Sequence, residues 1–181
     1  MSIKTQKTYI CLEPGEMHPV LCILTKYTEL VGRLNPVTKF QYDIRTLEIL
    51  PVNISHFDLL ELIKLRMKSY VMGDIRFILG CTYIKDSMMR FFEGTSLKPV
   101  KITITGDQES YKDNFMLYVP YSELLDSIDS MNDLDALNFS SDIPDSLIRE
   151  DDDCDLALGM VVWYAFKDTE QIKGKNVPGL P

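Results

Sequence analysis

The chain has 181 residues, 45% hydrophobic and 25% charged, enough to build one folded domain with a substantial core. No apolar run approaches the roughly 20 residues that span a bilayer, and MSIKTQKTYICLEPGEMH is too polar for a signal peptide. The net charge of −8 is unevenly spread: Glu123 to Asp155 holds twelve acidic residues against Arg149, while the rest carries 18 basic and 15 acidic. Such a dipole along the chain points to an anionic partner or to self-association.

In chain order, Thr8–Leu12 reads as a strand, with Pro14 and Gly15 in a following turn. Pro19–Leu30 is a β-rich run. Phe40–Leu50 alternates Phe40, Tyr42 and Ile44 against polar neighbours, then resumes at Leu47 and Ile49 after a shift, the pattern of a strand with one wet face. A helix starts at Ser55, which with Asp58 forms a capping pattern; Leu59, Leu62, Ile63, Met67 and Tyr70 follow at helical spacing. About Asp74 to Phe92 reads as a second helix broken near Gly80, stopping at Gly94. Val100–Thr105 and Phe115–Val119 read as strands, and Tyr121–Met131 as a helix with acids between its apolar positions. Asn138–Asp153 reads as a polar loop, and Leu156–Phe166, too apolar to be exposed, as a central strand. These pieces predict an α+β domain, a mixed or antiparallel sheet packed with two to three helices. Residues 1–8 form a short arm, 9–172 the domain and 173–181 a loose tail.

Chemistry has few footholds. Cys11, Cys22, Cys81 and Cys154 form no CxxC pair, and reduced thiols are expected, with Cys22 and Cys81 in the core and Cys154 exposed in an acidic loop. His18 lies between Cys11 and Cys22 in a C-x6-H-x3-C spacing that matches no familiar zinc pattern. A Cys22–His18 dyad lacks a glycine-rich oxyanion loop. His56 falls in the first turn of the capped helix, a structural or solvated place. The motifs of serine hydrolases, P-loops and dinucleotide folds are all missing. The run Asp151–Asp155 lacks the spaced ligands of a calcium loop, and acids in a solvated loop have nothing to hold them at a substrate. No metal, no cofactor and no catalysis are therefore expected.

Binding residues are easier to nominate. Lys64 to Lys101 holds eight basic residues against three acidic. Lys64, Arg66, Lys68, Arg76, Lys85 and Arg90 are the candidates for an anionic surface. The nearby rings of Tyr70, Phe77, Tyr83, Phe91 and Phe92 are expected to face the core rather than stack on bases. Lys4 and Lys7 against Asp151, Asp152 and Asp153 are candidates for self-association. Tyr121 and Leu124 end a Y-x-x-L motif of the sorting type, also present at Tyr27–Leu30.

The order FQYDIRTLEILPVN, SHFDLLELIKLRMKSYVMG, RFILGCTYIKDSMMRFFEG, SLKPVKITITGDQESYKDNFMLYVP, ALGMVVWYAFKD resembles that of the rhabdovirus matrix proteins, the smaller plant-infecting type. The resemblance implies a non-enzymatic structural protein that self-associates and bridges a viral nucleocapsid protein to the inner membrane leaflet. It would lie peripherally on membrane, in host cytoplasm and virion, with host sorting factors as further partners. The family's long basic N-terminus and its P-P-x-Y motif are missing here. The competing expectation is a non-structural viral adaptor or host-factor antagonist that binds through the acidic segment.

Overall fold

Strand β1 (Ile3–Glu13) runs through the middle of an eight-stranded mixed sheet, and almost everything else is placed by what packs on it. The computed structural model describes residues 3–69, 74–133 and 135–172. β1 pairs antiparallel with β2 (Val20–Val31), which pairs antiparallel with β3 (Val37–Ile49). On its other side β1 pairs in parallel with β4 (Asp74–Gly80), followed by β5 (Val100–Thr105) and β7 (Met116–Pro120), also parallel. Short strands β6 (Tyr111–Asp113) and β8 (Leu137–Phe139) close the two edges, giving the order β6-β7-β5-β4-β1-β2-β3-β8. The expected α+β class is observed, in a single domain.

Helices cover both faces. α1 (His56–Ser69) and α2 (Asp86–Glu93) lie over Ile10, Leu12, Leu21, Ile23, Phe77 and Leu79. α3 (Tyr121–Asp133), α4 (Asp145–Arg149) and α5 (Asp152–Ile172) share the other core with Tyr9, Cys11, Cys22, Leu24, Ile44 and Ile78. Alternate residues of β1 and β2 thus feed opposite cores, so both strands are apolar on both faces.

Several expectations hold locally. Ser55 Oγ accepts the N–H of Asp58 at 3.1 Å, the expected cap of α1. The register of β2 on β3 slips between Ile23 and Leu24, so Arg45 is the extra residue of a bulge, where the alternation shifted. Cys22 and Cys81 are core thiols.

Others are corrected. β1 begins at Ile3, so residues 3–8 belong to the sheet and not to an arm; the expected tail, 173–181, lies outside the described residues, as does Tyr70. Asp74–Phe92 is not one broken helix but β4, a turn and α2: a parallel strand buried on both faces has an apolar run that mimics helix. Leu156–Phe166 is not a strand but the middle of α5, a helix buried on nearly every side, whose residues match no amphipathic period. Asn138–Asp153 contains the end of β8 and all of α4. Cys154 is fully buried in the first turn of α5, not exposed.

Candidate active site

The sheet changes direction at β1: the chain leaves it toward β2 and β3, then returns on its other side at β4. The carboxyl ends of β1 and β4 flank the crevice where open α/β sheets place their ligands. Glu13 ends β1 and Gly80 ends β4, and the N-terminus of α5 arrives over both.

Glu13 is the last residue of a strand, yet its side chain is 0% exposed. Its Oε1 accepts the N–H of Gly15 at 2.9 Å; its Oε2 has no hydrogen-bond partner among the described residues. That oxygen lies over Gly80, filling the space a Cβ would need. Burial pushes the Glu13 pKa up to about 7; the Gly15 amide lowers it, and the neighbouring Asp153 charge raises it further.

Asp153 is 4% exposed, and it organises the loop after β1. Its Oδ1 accepts the N–H of Glu16 at 2.9 Å; its Oδ2 accepts those of Met17 at 2.9 Å and His18 at 3.1 Å. Three successive amides converging on one carboxylate form an anion nest. Gly15 makes the turn possible: its φ is +73°, and a Cβ there would collide with the His18 carbonyl and press on the Asp153 carboxylate. A carboxylate offers about four lone-pair directions, so about one remains on Asp153.

Asp151 caps α5. Its Oδ1 accepts the Cys154 N–H at 2.8 Å, and its Oδ2 lies 2.9 Å from His18 Nε2. Burial alone would raise the Asp151 pKa, but the Cys154 amide and the His18 ring outweigh it and hold the carboxyl below its ordinary value. His18 Nε2 also stands 3.9 Å from Asp153 Oδ2. One ligand atom from each of His18, Asp151 and Asp153 lies within 4.8 Å of the others, a grouping that could hold a metal ion. Asp152 and Asp155 add negative charge in the same turn, where the helix dipole favours it.

The expectation that these acids lie in a solvated loop is overturned, because the helix that begins at Asp152 and the turn at Gly15 fold the run against β1. Glu13 went unnominated; its only signal is an acid closing an apolar strand ahead of a Pro-Gly turn. The C-x6-H-x3-C spacing around His18 matches no zinc pattern, and the neighbours of His18 in the fold are the carboxylates of Asp151 and Asp153.

The other nominated residues do not converge. Arg66 donates to Glu48 at 2.9 Å, and Lys64 lies 3.7 Å from Glu61. Lys68 is exposed on α1, Arg90 is exposed on α2, and Lys85 precedes α2. Arg76, in register with Tyr9 on β4, points to the α5 face instead, so the six are not one patch. For self-association, Lys7 is tied to Asp168 at 2.5 Å and Lys4 stacks over Tyr27, while Asp153 is buried, leaving Asp152 as the exposed acid of its trio. Leu124 is 1% exposed, so its side chain is not presented at the surface beside Tyr121. Of the rings, Phe77 and Phe92 are buried, whereas Tyr83 is exposed and faces Glu16, whose charge raises its pKa. Among the described residues no helix is long and apolar enough to cross a membrane.

No protein-family model matches the sequence, and no curated protein matches it. Among solved structures, the human cytomegalovirus terminase nuclease domain is similar, with a TM-score of 0.55 and 13% identity, over 94% of this chain and 87% of that one. At that identity the likeness is one of fold. It goes against the expected matrix-type structural function: the fold over nearly the whole chain is similar to that of a viral terminase nuclease domain. Two of the elements on which the matrix resemblance was drawn, RFILGCTYIKDSMMRFFEG and ALGMVVWYAFKD, are strand–turn–helix and helix.

Proposed function

We propose that this chain is a cation-dependent nuclease, hydrolysing phosphodiester bonds at the cluster of Glu13, His18, Asp151 and Asp153. The observation that carries this reading is the unpartnered, fully buried Oε2 of Glu13 beside Asp153, in the crevice between the carboxyl ends of β1 and β4. An isolated carboxylate is costly to bury, and a divalent cation, like a proton, offsets that cost.

The donor set fits such an ion. Carboxylate oxygens suit magnesium and manganese, and one imidazole extends the range to zinc-like ions. Asp153 belongs to the group with His18 and Asp151, and its charge also acts on Glu13, so it is the carboxylate that would be shared. A bound cation would polarise a phosphoryl oxygen and make its water a nucleophile near neutral pH. The chain's own residues do the positioning. The amides of residues 16, 17 and 18 fix Asp153, the Asp151 cap fixes the start of α5, and Gly80 leaves the Glu13 carboxylate room to lie flat. His18, beside Asp151 at the rim, can ligate or carry a proton to a leaving oxygen.

The test is cleavage of labelled single- and double-stranded DNA and RNA with magnesium or manganese, beside titration calorimetry with manganese alone. Manganese binding and cleavage that are both lost in Glu13→Gln support the proposal. No manganese binding by the wild-type chain, or cleavage that survives Glu13→Gln, overturns it.

A further inference from the structure

A groove of about 470 Å³ opens between α3, α4 and α5, on the surface of the core that backs the candidate site. Its floor is apolar: Leu125, Ile128, Phe139, Ile148 and Leu158 line it. Leu125 is 41% exposed, a large side chain left uncovered on a helix whose neighbours are acidic. Among the described residues the charged side chains that line it are all acidic: Asp129 from α3, Asp145 from α4 and Asp155 from α5. From Glu123 to Asp155 the sequence supplies no basic residue except Arg149 to neutralise it.

We propose that this groove docks a basic amphipathic helix of a partner protein, its apolar stripe on Leu125, Ile128 and Ile148 and its lysines or arginines against Asp129, Asp145 and Asp155. Apolar anchors in a groove supply affinity, and opposite charges at the rim supply orientation and a fast encounter. Nucleic acid and anionic lipid are repelled by the same rim, and α1 of a second copy fits poorly because its Lys64 and Arg66 already face Glu61 and Glu48. α3 has 13 residues and spans about 20 Å, so a partner helix of about 14 residues would cover it. None of Glu13, His18, Asp151 and Asp153 lines this groove, so docking is measured apart from nuclease activity.

The test is fluorescence anisotropy of the full chain with a labelled leucine–lysine peptide of about 14 residues patterned as an amphipathic helix. A scrambled peptide and a leucine–glutamate peptide of the same pattern serve as controls. The expected result is binding at least roughly tenfold tighter than either control, weakened at least roughly tenfold by Asp129→Lys with Asp145→Lys and by Ile148→Asp. Circular dichroism and melting of each variant establish that it is folded. Binding of the scrambled peptide as tightly as the patterned one overturns the proposal. So does binding unchanged in the charge-reversed variant, or concentration-dependent self-association in sedimentation velocity that Ile148→Asp abolishes.

Discussion

Glu13 and Asp153 hold the same short loop from its two ends: Gly15 donates to Glu13, and the amides of Glu16, Met17 and His18 donate to Asp153. Two carboxylates that far apart in sequence are thereby tied to one loop, with Oε2 of Glu13 left without a hydrogen-bond partner among the described residues.

Stability should fall with pH through Glu13. Its folded pKa is raised to about 7 from an ordinary 4.5, so the unfolded chain releases this proton first. Its contribution is therefore full below about pH 4.5 and is lost as the pH rises through about 7. The loss amounts to about 3 kcal/mol at most. Urea unfolding at pH 5 and pH 8 should show wild type losing more stability than Glu13→Gln across that interval. Manganese should narrow the difference by binding the ionised form.

Asp153→Ala leaves three amides without their acceptor in a buried loop. Each hydrogen bond to a charged group contributes about 1.5–3 kcal/mol, discounted because the amides can reach water once the loop opens. A loss of about 3 kcal/mol is expected in chemical denaturation. Asp153→Asn, which keeps one carbonyl oxygen, should lose less.

Gly80→Ala places a methyl group where the Glu13 carboxylate lies. The carboxylate must swing away, and manganese affinity in calorimetry should drop at least roughly tenfold. Gly80→Ala should still give the far-ultraviolet circular dichroism of the wild type, because the displaced group ends a strand.

Leu124→Ala and Tyr121→Ala separate packing from recognition. Leu124 is buried against Gly159 of α5, so its truncation should cost about 2–5 kcal/mol in thermal or urea unfolding. Tyr121 is partly exposed at the start of α3, and its truncation should cost under about 1 kcal/mol.

Much of the sheet was legible because strands with one wet face alternate. Phe40, Tyr42 and Ile44, with the slip at Arg45, read off as β3 and its bulge. The cap at Ser55 and the stop at Gly94 were equally local. What failed was burial on both sides. The run Phe77–Leu79 in β4 and the run Ala157–Ala165 in α5 are both continuously apolar, and periodicity cannot tell them apart. Length and the cap at Asp151 would have assigned α5 correctly. The candidate site was hidden for a related reason. Its acids come from the end of β1 and the start of α5, and only the assignment of α5 as a helix brings Asp153 onto the Gly15 turn.

The pairing of β1 with α5 has one more consequence. Asp153 near the start of α5 meets the loop after Glu13, while Asp168 near its end accepts from Lys7 and Tyr9, both at 2.5 Å. Fifteen helical residues rise about 22 Å, and the six steps from Lys7 to Glu13 extend about 20 Å. Helix and strand are thus matched rulers pinned at both ends. Deleting one residue from the middle of α5 would turn one pin by about 100° relative to the other. Single-residue insertions or deletions there should be far less tolerated than substitutions, and the arrangement holds the acidic cluster in register with the sheet from a distance.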